Sequence, residues 1–118
     1  MQQRTMLKSK LHRVVVTDAD LAYEGSITID EDLMDAADLL SYEKVDIYNV
    51  SNGERFSTYT IRGARGSGII CLNGAAARKA SKEDIIIIAS YVLVDEDSVK
   101  QWKPKCILVD YKNRIKKR

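Results

Sequence analysis

At 118 residues, of which 45% are hydrophobic, the chain is sized for one domain, residues 1–118, with a core of its own; a second domain is not expected. Nineteen basic residues nearly cancel seventeen acidic ones and leave +2, which gives no reason to expect a polyanionic partner, so no nucleic acid is expected. No apolar run reaches the roughly 18 to 20 residues that span a bilayer and the N-terminus lacks an apolar signal core, so a soluble cytoplasmic protein without membrane attachment is expected.

In chain order, residues 11–17 read as the first strand, rich in Val and Thr. Residues 30–40 follow as an amphipathic helix of about three turns, with Leu33, Ala36, Ala37 and Leu40 at helical spacing behind acidic residues. Strands at 45–50 and 56–61 flank Asn52-Gly53, a dipeptide that suits the type I′ turn of a hairpin. A strand at 68–72 leads into Asn73-Gly74 and an alanine run, expected as a short helical turn. A long apolar strand at 85–94, a single helix at 95–102 and a last strand at 106–111 complete the pattern. Residues 42–50 and 81–89 echo each other too briefly to count as a repeat. Lys112, Arg114, Lys116, Lys117 and Arg118 form a basic tail, about 112–118, expected to be flexible. Six strands with a few short helices suggest a mainly β barrel.

Cys71 and Cys106 lie far apart in apolar runs and read as buried thiols, while a single histidine, His12, makes a multi-histidine metal site impossible; no metal is expected. The more informative pair is Gly25-Ser26. A serine hydroxyl can attack the preceding carbonyl, exchanging the amide for an ester that eliminates across Cα and Cβ; hydrolysis then leaves a pyruvoyl group. Glycine at 25 would allow unusual dihedrals and an open approach to its carbonyl. The hydroxyl is a weak nucleophile, so the step needs imposed proximity and donors aimed at the oxyanion. Taken alone, Gly-Ser is a common loop dipeptide.

Four segments in register change its meaning: Met6-Leu7-Lys8-Ser9-Lys10-Leu11-His12-Arg13, Asp20-Leu21-Ala22-Tyr23-Glu24-Gly25-Ser26, Asn52-Gly53-Glu54-Arg55-Phe56-Ser57-Thr58-Tyr59 and Asn73-Gly74-Ala75-Ala76-Ala77. Over about residues 4 to 104 the chain resembles the bacterial aspartate 1-decarboxylases. The resemblance implies a double-psi β-barrel and self-cleavage into 1–25 and 26–118. It also implies a covalent pyruvoyl group derived from Ser26, and decarboxylation of L-aspartate to β-alanine through a Schiff base, serving pantothenate and coenzyme A synthesis. A homotetramer with sites at subunit interfaces, and an activating protein that assists cleavage, belong to the same expectation.

Residue roles follow from the two readings together. Arg55 offers a planar fork for a carboxylate and Lys10 a second charge, each with a plain solvent-facing alternative. Tyr59, by resemblance, returns the proton to the α-carbon, the task of a weak acid held in place. Thr58, one residue along the strand and so on its other face, is assigned by resemblance to the oxyanion of the cleavage step; the two are not expected to serve one pocket from one strand. His12 is placed near the site by analogy, not as a general base. Tyr23 and Asn73 can position backbone or substrate, and Gly74, Ala75 and Ala76 let turn amides approach a ligand. Asp18 and Ala22 stand where histidines can occur in the family, which bears on cleavage rate or on dependence upon a helper. Two other readings are a pyruvoyl decarboxylase of another small amino acid, such as glutamate, and a non-catalytic barrel acting as an interaction module.

Overall fold

The segments of alternating or continuous β-branched residues pair into eight strands in the computed structural model, which describes residues 2–117. These are β1 (Gln3–Val15), β2 (Asp18–Asp20), β3 (Ser26–Asp30), β4 (Lys44–Asn49), β5 (Arg55–Gly63), β6 (Ile70–Asn73), β7 (Ile85–Asp95) and β8 (Lys105–Leu108). One helix, α1 (Glu31–Ala36), and two 3₁₀ turns, Gly74–Arg78 and Val99–Gln101, make up the rest of the regular structure. The strands hydrogen-bond in the order β2-β6-β3-β5-β4-β7-β1-β8, a mixed sheet in which β2–β6, β3–β5 and β1–β8 run parallel. This mainly β architecture is compatible with the double-psi barrel. No helix among the described residues is long and apolar enough to cross a membrane.

One core is enclosed, centred on Leu11, Ile27, Ile29, Ile47, Ile70, Leu72, Ile86 and Ile88, each no more than 1% exposed. Ile27 and Ile29 anchor the strand that begins at Ser26, and so set where that serine sits. Burying such a side chain contributes roughly 1.5–3 kcal/mol.

Several expectations are corrected. β1 starts eight residues before the expected strand, and β2 and β3 lie in what read as loop. The helix is half the expected length because Asp38 takes a left-handed φ of 56° and Leu39 N–H closes back onto the Met34 carbonyl at 2.8 Å, a Schellman-type end. The hairpin forms, with Tyr48 opposite Arg55, but only Gly53 has positive φ, so the loop is wider than a type I′ turn. The expected 95–102 helix is reduced to the Val99–Gln101 turn. The described part of the basic tail is docked rather than frayed: Val109 bridges to Ile115, and Lys116 N–H donates to the Leu108 carbonyl at 2.8 Å. Buried Asn113 locks it, accepting from Val15 N–H at 2.7 Å and donating to the Val15 and Gly68 carbonyls, both at 2.8 Å.

Asp30 joins the end of β3 to two neighbouring segments. Its buried carboxylate caps α1 through Asp32 N–H at 2.8 Å, and also accepts from Gly66 N–H at 3.0 Å and Gly68 N–H at 2.8 Å. Asp30→Ala is expected to lower stability by about 2 kcal/mol or more, since it removes the cap and leaves the Gly68 amide buried without a partner. Urea denaturation compared with the parent chain measures this.

Candidate active site

Gly25 is the last residue of an exposed loop, and Ser26, completely buried, is the first of β3. The chain therefore passes from solvent to core across a single peptide bond. β3 is gripped from both sides: Ser26 stands opposite Asn73 on β6, and Ile27 opposite Thr60 on β5. Continuing the parallel register back by two residues sets Gly25 beside Thr58. A groove of about 390 Å³ opens there, and Gly25, Thr58, Tyr59, Ala75 and Ala76 all line it. Thr58 and Tyr59 thus border one cavity, contrary to the expectation from strand alternation, because the groove follows the length of the strand from Phe56 to Tyr59.

The Ser26 hydroxyl is fixed by two hydrogen bonds. It donates to the Glu24 carbonyl at 3.3 Å and accepts from Asn73 Nδ2 at 2.9 Å, leaving one lone pair free. The same amide nitrogen donates to Thr28 Oγ1 at 2.9 Å, while Asn73 Oδ1 accepts from Cys71 Sγ at 3.2 Å. Cys71 is therefore more than a space-filling thiol, since its S–H sets which end of the Asn73 amide faces Ser26. Burial, with the charges of Asp18 and Asp20 adding, pushes that thiol's pKa up and keeps it protonated as a donor. Sequence reasoning missed this role for Cys71 and Thr28. The signal was the two-residue spacing of Cys71 and Asn73, which puts them on one strand face.

The crowded glycine is Gly74, not Gly25. A Cβ on Gly25 would meet nothing within 4 Å, and its φ is not positive. Gly74 has φ of 62°, and a Cβ there would lie 2.6 Å from Gly25 N and 2.7 Å from the Tyr23 carbonyl oxygen. The turn that starts at Gly74 is in this way pressed directly against the backbone of residues 23–25, which is how Tyr23, whose side chain is exposed, enters the site. Ala75 and Ala76 follow in the same turn, whose first amides have no partner within the turn itself.

Lys10, His12 and Arg55 are not brought to this groove within the chain. Lys10 stands opposite Ala89, Ala89 opposite Asp46, and Asp46 opposite Ser57, so β1 lies three strand spacings from β5, roughly 14 Å along the sheet. Arg55 is exposed and rests on the Tyr48 ring with its guanidinium carbon 4.2 Å from the centroid. Tyr48 is tied by its hydroxyl to that of Tyr91 at 2.6 Å, and this bond, with burial adding, pushes the Tyr91 pKa up to about 12. Neither Lys10 nor Arg55 has a carboxylate partner among the described residues. His12 borders a separate cavity of about 260 Å³ beside Leu108 and Lys116; its Nδ1 is buried without a partner, and burial, then the charges of Lys10 and Arg13, pushes its pKa down.

Residues 1–116 match the family described as aspartate decarboxylase. Among curated relatives, the aspartate 1-decarboxylase of Syntrophus aciditrophicus is 70% identical over 114 residues, covering 97% of this chain and 98% of the relative. The protein of that name from Ralstonia pickettii is 60% identical, covering 97% and 95%, and that from Methylobacillus flagellatus 61%, covering 97% and 90%.

Gly74→Ala is expected to drive the turn away from residues 23–25, since backbone atoms and not a flexible side chain receive the new methyl. Hydrogen exchange at the amides of residues 23–26 should then rise at least about tenfold, with the β7 amides unchanged.

Proposed function

The chain belongs to the aspartate decarboxylase family, and we propose that it removes the α-carboxylate of L-aspartate as CO2 to give β-alanine, for pantothenate and coenzyme A synthesis, after cutting itself between Gly25 and Ser26. The single observation that carries the cleavage reading is the Ser26 hydroxyl, pinned by Asn73 and Glu24 where the exposed loop enters the core beside a groove.

In the cleavage, Ser26 Oγ forms a bond to the Gly25 carbonyl carbon, the C–N bond breaks, and the hydroxyl proton ends on the freed amine of residue 26. Thr58, opposite Gly25 in register, donates to the oxyanion that develops on the Gly25 carbonyl. Loss of the α-proton of residue 26 then breaks its Cβ–O bond and releases the Gly25 carboxylate; hydrolysis releases ammonia and leaves a pyruvoyl group. Proximity carries most of this reaction, because the loop and β3 hold nucleophile and carbonyl on adjacent residues.

The residues present suit such a group: Asn73 hydrogen-bonds Ser26, Gly74 packs against residues 23–25, and Ala75 and Ala76 line with Gly25 a groove open to a small amino acid. The chemistry it supplies is an electron sink for the pair left behind by CO2. Tyr59, on the groove wall, donates the proton that replaces CO2 on the α-carbon. Arg55 and Lys10, without carboxylate partners among the described residues, bind the carboxylate that stays; gripping the departing one tightly would stabilise the ground state. Because they lie outside this chain's own groove, a neighbouring copy supplies them, in keeping with a homotetramer whose sites lie between subunits. His12 shares that second group. Any activating protein for cleavage acts on the exposed loop before Ser26.

Denaturing intact-mass measurement tests the scheme. Active protein should separate into 25- and 93-residue pieces (118 minus 25), the larger lacking the amine of serine at its first position. A single uncut species with full activity would overturn it. Ser26→Ala should stay uncut and inactive, whereas Tyr59→Phe should cut normally yet lose about 100-fold or more in kcat; equal loss of cutting in both would contradict the division of roles.

A further inference from the structure

Tyr42 occupies a conformation that its side chain disfavours. Its φ of 72° lies in the left-handed region, where asparagine, aspartate and glycine are the ordinary occupants and a bulky aromatic is an outlier. Burial does not compensate, because the residue is 77% exposed. The aromatic ring it packs beside is that of Tyr59, with centroids 6.3 Å apart and planes tilted by 38°.

The backbone beneath it is clamped from three directions. Tyr42 N–H donates to the Thr60 carbonyl at 2.8 Å and Thr60 N–H to the Glu43 carbonyl at 3.1 Å, so the loop is stitched to the residue after Tyr59. Thr60 Oγ1 donates to the Leu40 carbonyl at 2.6 Å. The Glu43 carboxylate accepts from Leu40 N–H at 3.0 Å, from Lys8 at 2.9 Å and from Ser90 at 2.5 Å, which joins the loop to β1 and β7. A strained residue persists only where its surroundings over-determine it, and such residues cluster at functional sites.

We propose that Tyr42 is a positioning residue for Tyr59: its ring, aimed by the clamped loop, walls one side of the Tyr59 phenol and limits its swing along the groove. The proposal rests on the reading of Tyr59 as proton donor. It assigns the strain at Tyr42 a purpose, since asparagine or glycine would satisfy the same backbone with less strain but leave that side of Tyr59 open.

The test compares cleaved enzyme carrying Tyr42→Asn, Tyr42→Phe, Tyr59→Phe and the double change Tyr42→Asn with Tyr59→Phe. Tyr42→Asn should cut completely by intact mass and melt at the same or a higher temperature, yet lose about tenfold in kcat with KM within about twofold. Tyr42→Phe, which keeps the ring, should retain kcat. In the double variant the asparagine should add no loss beyond that of Tyr59→Phe. Parental kcat in Tyr42→Asn, an equal loss in Tyr42→Phe, or a further full loss in the double variant overturns the proposal alone. An unchanged kcat in Tyr59→Phe overturns the proton-donor reading and the proposal with it.

Discussion

The arrangement of this molecule depends on the seating of β3 between β5 and β6. One neighbour runs parallel and the other antiparallel, and each contributes a different component of the site. β5 brings Thr58 and Tyr59 alongside Gly25; β6 brings Asn73 to Ser26 and, through Gly74, the turn that presses on the loop. Ile27 and Ile29 hold the strand in register from the core side, because a slip of one residue would turn both isoleucines outward. Register and chemistry are therefore fixed by the same two side chains.

The polar organisation is just as sparing. Asn73 uses one amide nitrogen to hydrogen-bond both Ser26 and Thr28, and Cys71 decides its orientation. No titratable side chain among the described residues hydrogen-bonds to Ser26. This suits the proposed self-cleavage, which would happen once per molecule, where fixed geometry can substitute for an activating base. The cationic residues are set apart on the sheet, and Arg55 is supported by the Tyr48–Tyr91 pair in place of an anion.

How much of this was legible depended on whether a feature was local. Asn52-Gly53 announced a hairpin because the positive φ of Gly53 is a property of that residue alone. The long apolar run of β7 was equally plain. β3 escaped notice because its alternation, Ile27-Thr28-Ile29, is only three residues long between a loop and an acidic helix start; two flanking strands, not propensity, make it a strand. The helix ended early through a left-handed Asp38 that no sequence pattern marks. At the site, Ser26, Thr58, Tyr59 and Asn73 were legible as motif residues. The crowding at Gly74 was not, since it arises from a turn meeting a loop some fifty positions away, and Gly25 drew the attention that Gly74 warranted. The described part of the basic tail was misread for a related reason: its charges suggested solvent, while its one uncharged polar residue, Asn113, ties it down.

On the proposed cleavage, the pairing of β1 has a consequence for the life of the molecule once the 25–26 bond is cut. β1 pairs along nearly its whole length with β7 and again with β8, and it places Leu11 and Val14 in the core. Residues 1–25 would thus remain an integral stave of the fold, held by strand pairing and burial alone. Before the cut, folding is a unimolecular search within one chain; afterwards, reassembly requires two chains to meet and becomes concentration-dependent. Such a cut would divide the history of the protein in two. The uncut form keeps its stave through any unfolding, whereas the proposed cut form, once opened in dilute solution, would lose it to diffusion and persist only as long as it stayed closed.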